Sequence, residues 1–262
     1  MGTIILIIGI VVLFVLIGLW VNKLDQKEKE RYKNLSLEDK LKEKSIQYFL
    51  PPMISPVNRS PLELNKTVDA QDQEFEKLIR EYFSTELIQS FRTEAIDALG
   101  LDVSELTAIS PIHFEDYYYD WEEVERKMSL WLSFSTGGKV NRDDVFKRDD
   151  NVLLGIGYDK KLRSSAYQVT WIFPTLKRLS VYQKIFYLHK KETEETTRMF
   201  VWKHITSITA TQNTIKTEGK AEKVDIFKIV VPGDEFICTM NTTEYTKRAI
   251  QAMKAVWTSN VE

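Results

Sequence analysis

The chain has 262 residues, with 36 Lys and Arg against 38 Asp and Glu, three His and one Cys. This near-neutral balance excludes a dedicated nucleic-acid binder, which carries a basic surplus. The single cysteine, Cys238, excludes an intrachain disulfide and gives no sign of an oxidising compartment.

Ile4 to Val21 (IILIIGIVVLFVLIGLWV) holds no charged and no strongly polar side chain. As a helix rising about 1.5 Å per residue it is roughly 27 Å long, close to the hydrocarbon thickness of a bilayer. Ile4, Leu13, Trp20 and Val21 mark the start, middle and end of this expected membrane anchor, with the Trp20 indole at the interface. A cleaved signal peptide needs a basic stretch before the run and small residues at its end, and neither is present. Lys23, Lys27, Lys29, Arg31 and Lys33 all follow the run. By the positive-inside rule the N-terminus lies outside and the rest of the chain in the cytoplasm. Residues 1–22 are thus read as a transmembrane anchor.

Residues 23–66 read as a charged helical stalk and a Pro-rich linker. Ser36 with Asp39 three residues later marks a helix start, and the sparse apolar positions predict a solvated surface. Pro51, Pro52, Pro56 and Pro61 then interrupt helix and strand alike.

Residues 67–151 read as an α+β region. Phe75, Leu78, Ile79, Tyr82 and Phe83 recur at the spacing of one buried helix face. A second helix carries Leu87, Ile88, Phe91, Ala95, Ile96 and Leu99, with Gly100 placed as its C-terminal cap. Alternation predicts strands over 112–119 and 130–134, and the polar stretch 136–151 reads as a loop. Tyr117, Tyr118 and Tyr119 cannot all face one core, because successive strand side chains point to opposite faces. At least one should reach the surface or a second packed layer, so Tyr117, Tyr119 and Trp121, with acids beside them, are candidates for contact with a protein partner or for packing against the C-terminal domain.

Residues 152–262 read as a succession of strands over 152–158, 165–173, 178–188, 198–209, 214–217, 224–231 and 235–240, closed by a helix. Asn241 with Glu244 fits a capping box. The expected buried face is Tyr245, Ala249, Ala252, Met253 and Val256, with Trp257 beside it.

The passage Ser180-Val181-Tyr182-Gln183-Lys184-Ile185-Phe186-Tyr187, followed by Phe200-Val201-Trp202-Lys203-His204-Ile205-Thr206-Ser207-Ile208, resembles bacterial pleckstrin-homology-like (PH-like) and GRAM-like domains. The stretch from Tyr167 to Trp257 is similar in element order to uncharacterised bacterial membrane-associated proteins. The resemblance implies an antiparallel barrel capped by a C-terminal helix. It further implies that basic residues in and beside the first hairpin grip lipid phosphates, here Lys160, Lys161, Arg163 and Lys184.

Other chemistries find no support in the residue pattern. His113, His189, His204 and Cys238 show no ligand spacing, so no metal site is expected. Gly137-Gly138-Lys139 lacks the earlier Gly and the following Ser or Thr of a phosphate loop, since Ser133 and Val140 stand there. Gly155-Ile156-Gly157 lacks a third Gly and reads as small residues in a strand. Paired acids such as Asp143-Asp144 and Asp149-Asp150 read as solvated faces, and no cofactor is expected.

The sequence thus predicts an α+β protein with an N-terminal transmembrane helix and a C-terminal PH-like barrel. The expected role is a non-enzymatic scaffold or binding module at the cytoplasmic face of a bacterial plasma membrane. Its partners would be the bilayer, a protein, and anionic lipid headgroups, with no nucleic acid. A subunit of a conjugation or secretion complex, with a body resembling nuclear transport factor 2 and extracytoplasmic in many systems, is the alternative. An enzyme with a diffuse active site is the third reading, marked by a deep pocket of buried titratable groups.

Overall fold

A computed structural model describes residues 18–24, 26–49, 61–107, 110–119, 152–156, 159, 161–217 and 220–261. The chain divides into two units, 1–40 and 41–262. In the first, residues 18–24 and 26–34 are helical, and Trp20 and Val21 are exposed. Among the described residues no helix is long and apolar enough to cross a membrane. Ile4 and Leu13, with the rest of the run up to residue 17, lie outside the described residues. The predicted helix start is present: the Asp39 N–H donates to Ser36 Oγ at 3.0 Å, and the Ser36 hydroxyl donates to Asp39 Oδ2 at 2.7 Å. This cap opens α1 (Leu37–Phe49).

The second unit begins inside α1. Leu41 and Ser45 are buried, and the Tyr48 and Phe49 rings lie 4.9 and 5.7 Å from that of Phe75. A solvated surface therefore describes residues 26–31 but not the helix from Leu41 onward. Leu41 packs inward, the Ser45 hydroxyl donates to the Leu41 carbonyl at 2.8 Å, and the Tyr48–Phe49 pair closes the docked stretch.

Next comes α2 (Pro61–Tyr82), which starts at a residue the sequence assigns to the linker. Proline suits a first helical turn, where its missing N–H has no partner to lose. Phe75, Leu78, Ile79 and Phe83 are buried, as their spacing requires. In α3 (Thr85–Ala98) Ser84 caps the start. Gly100 adopts φ +58°, and the Gly100 and Leu101 N–H groups donate to the carbonyls of Asp97 and Ile96, both at 3.1 Å. This is a Schellman ending, with the predicted glycine in the left-handed position.

The strands are β1 (Ile112–Tyr117), β2 (Leu154–Ile156), β3 (Leu162–Ser164), β4 (Ala166–Pro174), β5 (Arg178–Tyr187), β6 (Glu192–Val201), β7 (Ser207–Thr217), β8 (Lys220–Val231) and β9 (Asp234–Thr239). They form an antiparallel sheet β1-β4-β5-β6, a hairpin β2-β3 and a second sheet β7-β8-β9. No ladder joins the two larger sheets among the described residues, so the architecture is an open sandwich rather than the expected closed barrel.

Three strand expectations change. First, β1 pairs along its whole length with β4, so the boundary drawn at 151/152 cuts through one sheet, and Leu154–Ile156 pairs instead with Leu162–Ser164 in a separate hairpin. Second, the strand predicted over 198–209 is broken by a 3-10 turn, Trp202–His204. There the buried Trp202 indole donates to the Thr175 carbonyl at 2.8 Å. Third, β6 starts at Glu192, six residues before the strand expected from 198. It is an edge strand, where solvated Glu and Thr side chains are compatible with pairing on one side.

Register assigns the faces. Ile112, Phe114, Ile172, Leu179 and Val181 look inward onto Ile208, Phe227, Ile229 and Phe236 of the second sheet. Each such side chain, fully buried, contributes about 2 kcal/mol. The opposite face of the first sheet meets the helices, where Phe83 stacks on Tyr167 at 4.2 Å and Phe91 lies 5.3 Å from Phe186.

Last, α4 (Glu244–Val261) inserts Ile250 and Met253 into the core between the sheets. Its cap is not the expected Asn241 and Glu244. The Thr246 N–H donates to Thr243 Oγ1 at 3.1 Å, and the Thr243 N–H donates to Thr246 Oγ1 at 2.8 Å. The predicted face holds for Ala249, Met253, Val256 and Trp257, which pack on the core with Ile250, whereas Tyr245 and Ala252 are exposed.

Candidate functional site

Asp72 and Glu76 are four residues apart on α2, so both carboxylates leave the same helix face. That face meets Tyr48 at the end of α1, Tyr117 on β1 and Arg163 on β3. Arg163 is 1% exposed. Its Nε donates to Glu76 Oε1 at 2.8 Å, and its Nη1 and Nη2 donate to Asp159 Oδ1 and Oδ2 at 2.8 and 2.7 Å. Nη1 also reaches the Tyr48 hydroxyl at 3.3 Å. The Tyr48 hydroxyl donates to Asp72 Oδ1 at 2.8 Å, and the Asp159 N–H donates to Asp72 Oδ2 at 3.1 Å. The Tyr117 hydroxyl donates to Glu76 Oε1 at 3.1 Å.

Burial opposes charge on Arg163, but Asp159, Tyr48, Tyr117 and Glu76 outweigh it and hold the guanidinium above its ordinary pKa. Hydrogen bonding from Arg163 holds the Asp159 carboxyl below the usual carboxylate range. Burial raises the Tyr48 and Tyr117 phenols. The cluster is a buried clamp in which every guanidinium nitrogen serves an acceptor of the same chain. Beside it the α1 end depends on Gly155, where a Cβ would come within 3.2 Å of the Phe49 ring.

Two of the four residues expected to grip lipid phosphate are therefore engaged inward. Arg163 is spent on carboxylates. Lys184 bridges Glu94 at 2.6 Å and Glu195 at 2.8 Å, with its ammonium 5.2 Å from the Phe91 ring centre. Lys161 is exposed at the hairpin turn, and Lys160 lies outside the described residues. The aromatic candidates fare likewise. Tyr117 and Tyr119 are buried, with the Tyr119 hydroxyl donating to the Leu162 carbonyl at 3.0 Å, and Trp121 lies outside the described residues. Alternation did not expose one of these tyrosines, because both faces of β1 are covered: Tyr117 by α2, Phe114 by the second sheet.

Sequence reasoning missed Tyr48, Asp72, Glu76 and Asp159. A signal existed for one of them: Asp72 falls on the apolar face of α2 and is buried there. A buried carboxylate needs a donor, and the Tyr48 hydroxyl, itself accepting from the buried Arg163, supplies it.

Among the described residues no group of three or more His, Cys, Asp or Glu is placed to hold a metal ion. His113 lies against Trp171 at 4.8 Å, His189 is buried and Cys238 is a free, buried thiol.

A different surface stands at the far end of the first sheet, where β1 and β5 begin and β4 and β6 finish. A groove of about 410 Å³ there is lined by Met199, Phe200, Val201, His204, Val231 and Pro232. Leu176 at the β4–β5 turn is 71% exposed, Met199 49% and Val201 43%. Tyr245 is 53% exposed, and its hydroxyl meets the Pro111 carbonyl at 3.3 Å, just before β1. The other end of α4 reaches this region too, since the Trp257 indole donates to the Ile205 carbonyl at 3.0 Å.

Comparison with protein-family models, with curated proteins and with solved structures finds no match.

Proposed function

We propose that this protein is a single-pass, membrane-tethered binding module whose PH-like body works at the cytoplasmic face of a bacterial plasma membrane without catalysing a reaction. The observation that carries the reading is the uncharged run Ile4–Val21 with basic residues on its C-terminal side alone. The body supports it by its order of elements: a meander of β4, β5 and β6 extended by β1, a second meander of β7, β8 and β9, and a closing helix. Four strands, three strands and a terminal helix packed between the sheets is the arrangement a PH-like domain would take. Residues 118–165 are then an insertion between its first two strands. The Arg163 clamp fits a role in which the end of α1, where the body begins in sequence, is fastened to the sheet and α2.

Alkaline carbonate extraction of membranes tests the tether. The full-length chain is expected in the pellet, and a chain lacking residues 4–21 in the supernatant. Topology follows from Lys161→Cys, an exposed position, labelled with an impermeant maleimide. Labelling only after the membrane is opened supports a cytoplasmic body. Labelling of intact cells overturns it in favour of the envelope-complex reading.

A further inference from the structure

The second unit exposes five large apolar side chains among its described residues: Ile46, Leu176, Met199, Val201 and Tyr245. Four of them sit at one end of the sandwich. Register brings them there independently: Val201 is paired with Arg178, Met199 with Ser180, and Leu176 lies in the turn that joins β4 to β5. Exposed leucines scattered singly need no explanation, but a concentration at one end does.

Their setting distinguishes between occupants. Leu176 projects from a turn and is followed by the exposed Lys177, while Val201 is followed within two residues by the exposed Lys203. The nearby acids are already neutralised: Asp234 pairs with Arg198 at 3.0 Å, Glu235 with Lys228, and Glu105 with Arg178 at 3.8 Å. Separate apolar tips with lysines beside them match a bilayer interface, where apolar groups enter the headgroup boundary and lysines meet anionic lipid. Tyr245, with an apolar ring and a hydroxyl at its tip, suits the same depth.

We infer that the α4-capped end of the sandwich, led by Leu176 and flanked by Lys177 and Lys203, is a contact surface for an anionic bilayer. The inference rests on the tether reading, because a held body needs only weak additional affinity to stay on the surface. It also moves the lipid contact away from the β2–β3 hairpin, where Arg163 is enclosed.

The test uses the full-length chain reconstituted in vesicles, with an NBD label on Leu176→Cys or on Lys161→Cys; Cys238 is buried and remains in both. Phosphatidylcholine vesicles are compared with vesicles containing one quarter phosphatidylglycerol. The expected result is a blue-shifted emission at position 176 that spin-labelled lipid quenches, in the anionic vesicles only, with position 161 in water throughout. Lys177→Glu with Lys203→Glu should abolish the response, since losing each lysine alone weakens surface attraction by about fivefold.

Water-like emission at 176 in both vesicle types, while carbonate extraction still shows an intact tether, overturns the contact and leaves the tether reading standing. Insertion at 161 instead of 176 returns the site to the hairpin and overturns the inference. A shift at 176 that grows with protein density and ignores lipid charge identifies a second copy of the chain as the occupant and overturns it as well.

Discussion

Arg163 shows how one side chain can be read correctly as charged and wrongly as available. Its guanidinium has partners on α2, on the β2–β3 turn and on α1, so removing it strands carboxylates that were arranged around a cation. Breaking a buried pair costs more than the pair contributes, because the remaining charge stays in a poor environment. Glu76 and Asp159 keep 27% and 32% of their side chains exposed, which moderates the effect. Arg163→Met should therefore lower unfolding free energy by about 2–3 kcal/mol in urea titrations of the detergent-solubilised chain. Adding Glu76→Gln should recover part of that loss. Full additivity of the two changes would show that they do not interact. Lys184 repeats the pattern on the sheet surface: burial opposes its charge, Glu195 and Glu94 outweigh it, and the ammonium is held above its ordinary pKa.

At the scale of elements, caps and faces were the most legible features. The Ser36 start, the Gly100 ending and the buried face of α2 are all as the spacing demands. These depend on neighbours within a turn of helix, so local sequence suffices. The α4 cap differs from the expected one because Asn241 and Thr243 are both good capping residues, and local spacing alone does not choose between them. The difference is measurable. Thr243→Ala should cost about 1 kcal/mol, the usual value of a lost cap, whereas Asn241→Ala should change stability by less than about 0.5 kcal/mol. Equal losses would show that the Thr243–Thr246 box does not hold the helix start. The break at Trp202 was invisible for another reason. An apolar residue in an alternating run predicts a continued strand, and the distant Thr175 carbonyl turns it inward instead.

For the whole molecule, stability against pH sums over groups drawn from different elements. Burial holds His113 neutral to lower pH than a free imidazole, and burial with Lys190 and Lys42 nearby does the same for His189. In the unfolded chain both bind protons below about pH 6.5. The unfolded state then holds more protons, so stability falls as pH drops from about 6.5 toward the folded values and levels off below them. Asp159 acts in a separate window: its contribution is complete above the ordinary Asp value and is lost as pH falls through its depressed folded value. Urea midpoints at pH 7.5 and 5.5 should therefore differ. His113→Phe, which keeps a ring against Trp171, should shrink the difference; an unchanged difference would remove His113 from the account.

The order of amino acids by itself determined the helices, most strand positions, the closing amphipathic helix and the membrane-length run. Each of these rests on periodicity or polarity within a short window, where backbone geometry dictates which side chains share a face. The partnership of β1 with β4 across some fifty residues, the two-sheet division, and the fate of the charged and aromatic candidates were decided by tertiary structure alone. A lysine, an arginine or a tyrosine has the same composition whether it faces solvent or a carboxylate. Only the packing of distant segments sets the dielectric and the partners that separate an open surface from a closed one.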